Sequence, residues 1–390
     1  MMSVLFIAHG KRTQPQGLVD LAAFLRQRGH AVALEHVYDD LRYIGRIKYE
    51  PDIVGLSAHT ENAGRLRKVV GTIRERWPAA RVVIGGPHVN SDVLEKEPDF
   101  AGLADWLVMG EGEYAMEEII GGRESGIVQG TPLSQDDFAA LPMPDAEQIT
   151  RIFKWRPSSV LINRGCPYSC SFCHANRKRL VYRSPGRVVA YLANLDRALP
   201  GQQWFVLDDV FAVNKRWLAE FADEVQRQKF KAPLRCFING NVYDEERHDL
   251  LRRAGVVRAS IGAESGNDDV LRLANKGTTM ADYERIDAIY RKSKTIRLHG
   301  LWILGLPGET PESIKQTLDA AKRIGQMGPS FGYATPYPGT QFYKTASEHG
   351  EIVEPDWHKW TPNRISFVPH GVTQTLLRDA MRRGKAMGHR

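Results

Sequence analysis

The segment RGCPYSCSFCH, residues 164–174, places Cys166, Cys170 and Cys173 within eight positions of one another. The chain has 390 residues and one other cysteine, Cys236, so a disulfide framework is excluded. A closed structural zinc site wants four ligands, and no second cysteine pair stands nearby. Three thiolates can instead hold three irons of a cubane iron–sulfur cluster and leave the fourth iron open for chemistry. The loop follows a short apolar segment, residues 159–162, that reads as a β-strand. It therefore leaves the C-terminal end of a strand, where parallel barrels carry their active sites.

Reading outward supports a barrel. Strand signals recur at 204–207, 235–238, 256–261, 298–304 and 332–335, with helical segments between them at 185–199, 215–229 and 311–324. That is about six βα units, enough for an incomplete parallel barrel. On the N-terminal side, apolar strands at 3–8, 31–36, 52–57, 81–84 and 106–109 alternate with amphipathic helices at 18–28 and 63–77. This alternation predicts an open parallel sheet covered on both faces. Two prolines in LPMPDAEQ, residues 141–148, forbid a continuous helix there. The expected organisation is an α/β domain over 1–125, a linker over 126–150, a partial barrel over 151–345 and a tail or flap over 346–390. The final stretch, 373–390, reads as a basic helix or a frayed end.

Composition bounds the remaining choices. Hydrophobic residues at 42% and charged residues at 25% are globular values and exclude a disordered chain. The net charge of +7 fits a polyanion partner or simply a basic surface. No apolar run approaches a membrane span, and the start MMSVLFIAHGKRT has neither the charged nor the apolar region of a signal peptide. A cytoplasmic protein is expected, with thiols reduced and available for metal.

The spacing C-x3-C-x2-C, with the aromatic Phe172 immediately before the third cysteine, resembles the radical S-adenosylmethionine (SAM) superfamily. The resemblance implies a [4Fe–4S] cluster on Cys166, Cys170 and Cys173, with SAM chelating the open iron. It implies reductive cleavage of SAM to a 5′-deoxyadenosyl radical, fed by an electron donor such as flavodoxin or ferredoxin. It also implies SAM contacts at successive strand ends. Asp208 and Asp209 in LDDVF would take the amino group, although aspartates there could equally cap a helix. Asn239 would contact the ribose, or be a turn residue. Glu264 in SIGAESG would make a second SAM contact, and apolar residues near Trp302 and Leu304 would lie under the adenine. Cys236 reads as a buried strand cysteine, with a catalytic thiol as the alternative.

Three turns of the first domain, SAHT (57–60), GGPHVN (85–90) and GEGE (110–113), each follow a strand. With the cysteine loop and TPYPGT (335–340), they resemble the cobalamin-dependent radical SAM family. The resemblance covers roughly residues 1 to 345 and implies a Rossmann-like domain binding cobalamin through Ser57, His59, Gly85, Gly86, His88, Gly110, Glu111 and Gly112. No G-x-G-x-x-G supports a dinucleotide instead. The D-x-H-x-x-G motif that ligates cobalt in many cobalamin proteins is absent, which the radical SAM members tolerate. Methylthiotransferases and auxiliary-cluster maturases need more cysteines than this chain has.

The implied function is methyl transfer to an unactivated carbon or phosphorus centre of a small-molecule substrate. A non-methylating cyclisation, oxidation or rearrangement is the alternative. A basic nucleic-acid-binding protein with a structural metal is a remote third reading, resting on Arg177-Lys178-Arg179, the basic helix near 65–76 and the basic C-terminus. The aromatics Tyr333, Tyr337, Phe342, Tyr343, Trp357 and Trp360 would form either a lid over the substrate or a core flap.

Overall fold

The computed structural model describes residues 1–10, 16–38, 40–146, 149, 159–175 and 179–388. The chain divides into two compact units, residues 1–157 and 158–390.

The first unit is a six-stranded parallel sheet: β1 (Ser3–His9), β2 (Ala31–Val37), β3 (Ile53–Ser57), β4 (Arg81–Gly85), β5 (Trp106–Met109) and β6 (Gly126–Gln129), in the order β2-β1-β3-β4-β5-β6. Helices α1 (Gln16–Gln27), α2 (Leu66–Arg76) and α3 (Glu113–Ile120) lie between the strands in sequence. The central strands are apolar on both faces because helices cover both; Val4, Leu5, Phe6 and Ile7 of β1 are all buried. The strand order reverses beside β1 and β3, which makes their C-terminal ends the topological switch point. Residues 126–129, expected in the linker, form the sixth strand. Only Val128 of this edge strand is buried, so no alternation marks it in the sequence.

The second unit is a parallel half-barrel. Its strands β7 (Ser159–Val160), β8 (Trp204–Val206), β9 (Leu234–Ile238), β10 (Val256–Glu264), β11 (Arg297–Leu304) and β12 (Ser330–Tyr333) are hydrogen-bonded in chain order. Helices α4 (Pro185–Ala198), α5 (Lys215–Arg227), α6 (Glu245–Arg253), α7 (Met280–Ser293) and α8 (Pro311–Arg323) alternate with them. Thr310 caps α8, accepting from the Ser313 amide at 3.2 Å. Leu304 packs with Ile314 and Leu318 of α8, so it faces the helices. Side chains alternate along a strand, so the inner face carries Leu301 and Ile303, which lie beside Trp302 and Leu304 in sequence.

The tail is ordered structure. Helix α9 (Gln341–His349) leads into an antiparallel pair, Gly350–Ile352 with Phe367–Pro369, and α10 (Gln374–Met387) follows. Leu377, Ala380 and Met381 of α10 join the cluster around Leu304. Trp357 and Trp360 are buried, and the Trp360 indole donates to the Glu354 carbonyl at 2.8 Å. They sit in a core, and their place is that of the flap reading. Among the described residues no helix is long and apolar enough to cross a membrane. In the basic helix α2, Arg76 bonds Glu50 at 2.8 Å and Arg74 lies 4.0 Å from Asp105. Arg177 and Lys178 lie outside the described residues.

A buried indole cannot be removed without a cavity. Trp360→Ala should destabilise the half-barrel by about 3 kcal/mol or more, read as a lowered thermal midpoint. An unchanged midpoint would mean that the segment is a loose lid.

Candidate active site

The cysteine loop leaves the first barrel strand through Gly165, whose φ of +94° a larger residue would resist. Three hydrogen bonds to its backbone groups clamp it. Ser171 N–H donates to the Ala274 carbonyl at 2.9 Å, Asn275 Nδ2 donates to the Ser169 carbonyl at 2.9 Å, and Phe342 N–H donates to the Ser171 carbonyl at 2.8 Å. Cys173 N–H closes the loop on the Cys170 carbonyl at 3.1 Å. All three cysteines are free and half-buried. Burial raises each thiol's pKa, and the Lys276 charge acts in the opposite sense on each. Among the described residues, no three His, Cys, Asp or Glu side chains converge on a single ion. A cubane does not ask for that, since each iron takes one thiolate. The donor set, three thiols on one clamped loop, fits a cluster with one open iron.

Glu264 ends β10 in the left-handed region, at φ +62°, a conformation costly for a residue with a side chain. Its carboxylate is buried and bonds Lys276 Nζ at 2.8 Å. Burial opposes the Lys276 charge, but Glu264, Tyr283 and Cys170 outweigh it and hold the ammonium above its ordinary pKa. The same ammonium lies 5.9 Å from the Phe172 ring centroid. Phe172 also packs, with Ile303, against the apolar cluster of Val270 and Leu306. Lys276 was not marked by the sequence reading. The available signal was a lysine in ANKGTT, twelve residues after Glu264.

The paired aspartates divide. Asp208 is buried, and its Oδ1 accepts from the Ile162 and Asn163 amides at 2.8 and 3.0 Å. Burial pushes its pKa up to about 7. It caps no helix; it ties the β8 end to the end of β7. Asp209 is exposed, and its charge is felt at Cys166 and Cys173. Asn239 accepts from the Asn241 amide at 2.7 Å and so makes a turn at the end of β9. Glu309, beyond β11, is buried and accepts from the Gly305 amide at 2.6 Å; burial pushes its pKa up to about 8. Cys236 is fully buried, and burial raises its pKa. Tyr337 of TPYPGT meets the His174 ring at 5.4 Å.

In the first unit the three turns, two of them bearing glycine, gather at the ends of β3, β4 and β5. Ala58 N–H donates to Gly85 O at 2.7 Å, and His88 N–H donates to Ala58 O at 3.1 Å. Gly86 has φ +99°, and a Cβ there would meet Ala58 O at 2.6 Å. Ser57 and His59 stand on the first turn; burial lowers the His59 pKa, so its half-buried ring is neutral. His88 is fully buried, bonded to Thr60 at 3.2 Å and set edge-on to Phe100. Its side chain braces the turn from inside. Glu111 accepts from the Leu133 amide at 3.0 Å. Gly110 and Gly112 bracket it, and Gly112 caps α3. Among the side chains of these turns, His59 is the half-buried neutral imidazole. Small residues and backbone groups form the rest of the strand ends, which fits a large planar cofactor.

Comparison with known proteins agrees with this geometry. Residues 160–321 match the radical SAM superfamily model, and residues 2–120 match the B12 binding domain model. The chain thus carries a B12-binding domain followed by a radical SAM domain. It belongs to the radical SAM superfamily, and the cofactors of its two domains are a [4Fe–4S] cluster with SAM, and cobalamin. It is 27% identical to an uncharacterised methyltransferase of Pyrococcus horikoshii, over 90% of this chain and 82% of that protein. It is 24% identical to the anaerobic magnesium-protoporphyrin IX monomethyl ester cyclase of Rubrivivax gelatinosus, over 87% of this chain but 64% of that protein. In fold it resembles the radical SAM methyltransferase TsrM of Kitasatospora setae, solved with cobalamin and a [4Fe–4S] cluster bound. The TM-score is 0.73, at 18% identity, over 99% of this chain and 89% of that one.

Two measurements probe this geometry. Lys276→Met should destabilise the protein by about 3 kcal/mol or more, because it leaves the Glu264 carboxylate buried and unpaired. The double variant Glu264→Gln/Lys276→Met should recover most of that loss in urea unfolding. Between pH 3.8 and about 7, native Asp208 keeps a proton that the unfolded chain has released, so stability falls as pH rises through that window. Asp208→Asn should flatten this part of the stability–pH curve.

Proposed function

We propose that the protein is a cobalamin-dependent radical SAM methyltransferase acting on an unactivated carbon, or a phosphorus, of a small molecule. The observation that carries this reading is one clamped three-thiol loop at the end of the first barrel strand, in a chain that also bears a B12-binding domain. When bound, the cluster with SAM supplies a carbon radical able to remove a substrate hydrogen, and cobalamin supplies the methyl group.

The chain's own residues bind, orient and exclude water. Cys166, Cys170 and Cys173 hold the irons, losing their protons as metal binds. Glu264 offers its carboxylate to the SAM ammonium, and Lys276 pairs with that carboxylate in a buried place. Asp209 supplies a second carboxylate on the same side. Asn239 presents its amide toward the ribose from its turn. Phe172, with Ile303, forms an apolar wall that keeps water from the reacting centre. Asp208 acts as a positioning residue, since its bonds go to the backbone from which the loop leaves. In the first unit, Ser57, His59, Gly85, Gly86, Gly110, Glu111 and Gly112 form the cobalamin-holding turns, with His88 bracing them.

Electrons come from an acidic carrier protein such as flavodoxin or ferredoxin, for which a net charge of +7 is suited. A reducing cytoplasm keeps the thiols available. The relative that is a cyclase favours one second reading, ring closure without methyl transfer. Product mass separates the two, because methylation adds one methyl group and cyclisation adds none.

Anaerobically reconstituted protein should hold about four irons and bind cobalamin. Replacing any of the three cysteines by alanine should abolish the cluster's visible absorption. Full iron retention in those variants would overturn the cluster assignment, and failure to bind cobalamin would overturn the methyl-donor assignment.

A further inference from the structure

The inner face of the half-barrel carries a row of like charges. In the parallel register Arg235 of β9 faces Arg258 of β10, and Arg258 faces Arg297 of β11. Adjacent strands are about 4.8 Å apart, and like charges directly opposite one another destabilise a sheet. Among the described residues, neither Arg258 nor Arg297 forms an ion pair with a carboxylate. The Arg258 guanidinium is half-buried and donates to His299 Nδ1 at 2.7 Å. His299 is buried, and burial and then Arg258 push its pKa down to about 4, so the ring is neutral and balances no charge. Its Nε2 donates to Ser330 Oγ at 3.0 Å, and Ser260 Oγ lies 3.3 Å from Nδ1.

Beside this row stand two rings. Phe205 of β8 pairs in register with Arg235, whose guanidinium lies 5.1 Å from the Phe205 ring centroid. Phe237 lies 5.0 Å from Phe205. Three aligned cations, hydroxyls held by a neutral imidazole, and an adjoining aromatic pair form a surface complementary to an oxyanion joined to an apolar body. Arg258 is six residues before Glu264 on the same strand, so the row lies about 20 Å along the strand from that carboxylate.

We propose that Arg235, Arg258 and Arg297 form an oxyanion site for the substrate, which therefore carries a phosphate or carboxylate on an apolar or aromatic body. This deepens the proposed function and rests on it only in taking the inner barrel face as the substrate's face. The anionic end docks on the arginine row, and the reacting atom lies toward the cysteine end of the strands.

The test is calorimetric titration of the reconstituted full-length protein with phenyl phosphate and with inorganic phosphate, at fixed ionic strength. Phenyl phosphate should bind saturably, at least about tenfold tighter than inorganic phosphate, because Phe205 and Phe237 take the ring. Arg258→Gln and Arg297→Gln should each weaken it about tenfold or more, while Arg382→Gln on α10 leaves it unchanged. Arg258→Lys should recover part of the loss. Without the anion, Arg297→Gln should melt no lower than the parent, since a repulsion has been removed. Inorganic phosphate binding as tightly as phenyl phosphate would overturn the substrate assignment. No saturable binding, or binding unaffected by both glutamine variants, would overturn the site itself. Iron content of the same samples keeps the two readings apart. A protein with a full cluster and no anion binding sinks only this inference, and one that binds phenyl phosphate but holds no iron sinks only the radical SAM reading.

Discussion

A buried ion pair organises the barrel mouth. Lys276 and Glu264 meet at 2.8 Å out of water, and such a pair survives only where its geometry is good. The strained backbone at Glu264 is held against that lysine, and the lysine's field reaches all three cysteines. Thiolates and a carboxylate crowded together would repel one another without a cation. The one ammonium pairs with the Glu264 carboxylate and acts against the burial that raises the pKa of the three thiols. The loop clamp from Ala274, Asn275 and Phe342 brings the thiols to it. Ala274 and Asn275 immediately precede Lys276, so one short segment supplies both the clamp and the charge.

The first unit meets a different demand. A large, mostly neutral cofactor needs an open edge with little side-chain bulk. The sheet order places the ends of β1 and β3 at the switch point, with β4 beside β3 and β5 beside β4. Gly86 can approach Ala58 because it has no Cβ, and the turns brace one another through backbone bonds.

Much of this was legible in the sequence. The cysteine spacing marked the cluster loop, and the alternation of short apolar strands with amphipathic helices marked the α/β plan, because both are local patterns. What stayed hidden depends on faces and partners. Leu304 and Ile303 are equally apolar, and only the packing of α8 and α10 shows which one points outward. Asp208 and Asp209 are neighbours of one type, yet one is buried against backbone amides and the other is exposed. β6 has a single buried side chain and leaves no period to read. Lys276 reaches Glu264 across a turn and a short helix, a pairing that no fixed spacing encodes. The arginine row is likewise invisible until the register of three strands is known.

The clamped three-thiol loop is what makes this chain a radical SAM enzyme. The most direct measurement is 5′-deoxyadenosine release from SAM by the anaerobically reconstituted, dithionite-reduced protein. Release should require reduction and disappear in Cys170→Ala. A protein with a full iron complement that is reduced, binds SAM and yet releases no 5′-deoxyadenosine would contradict it.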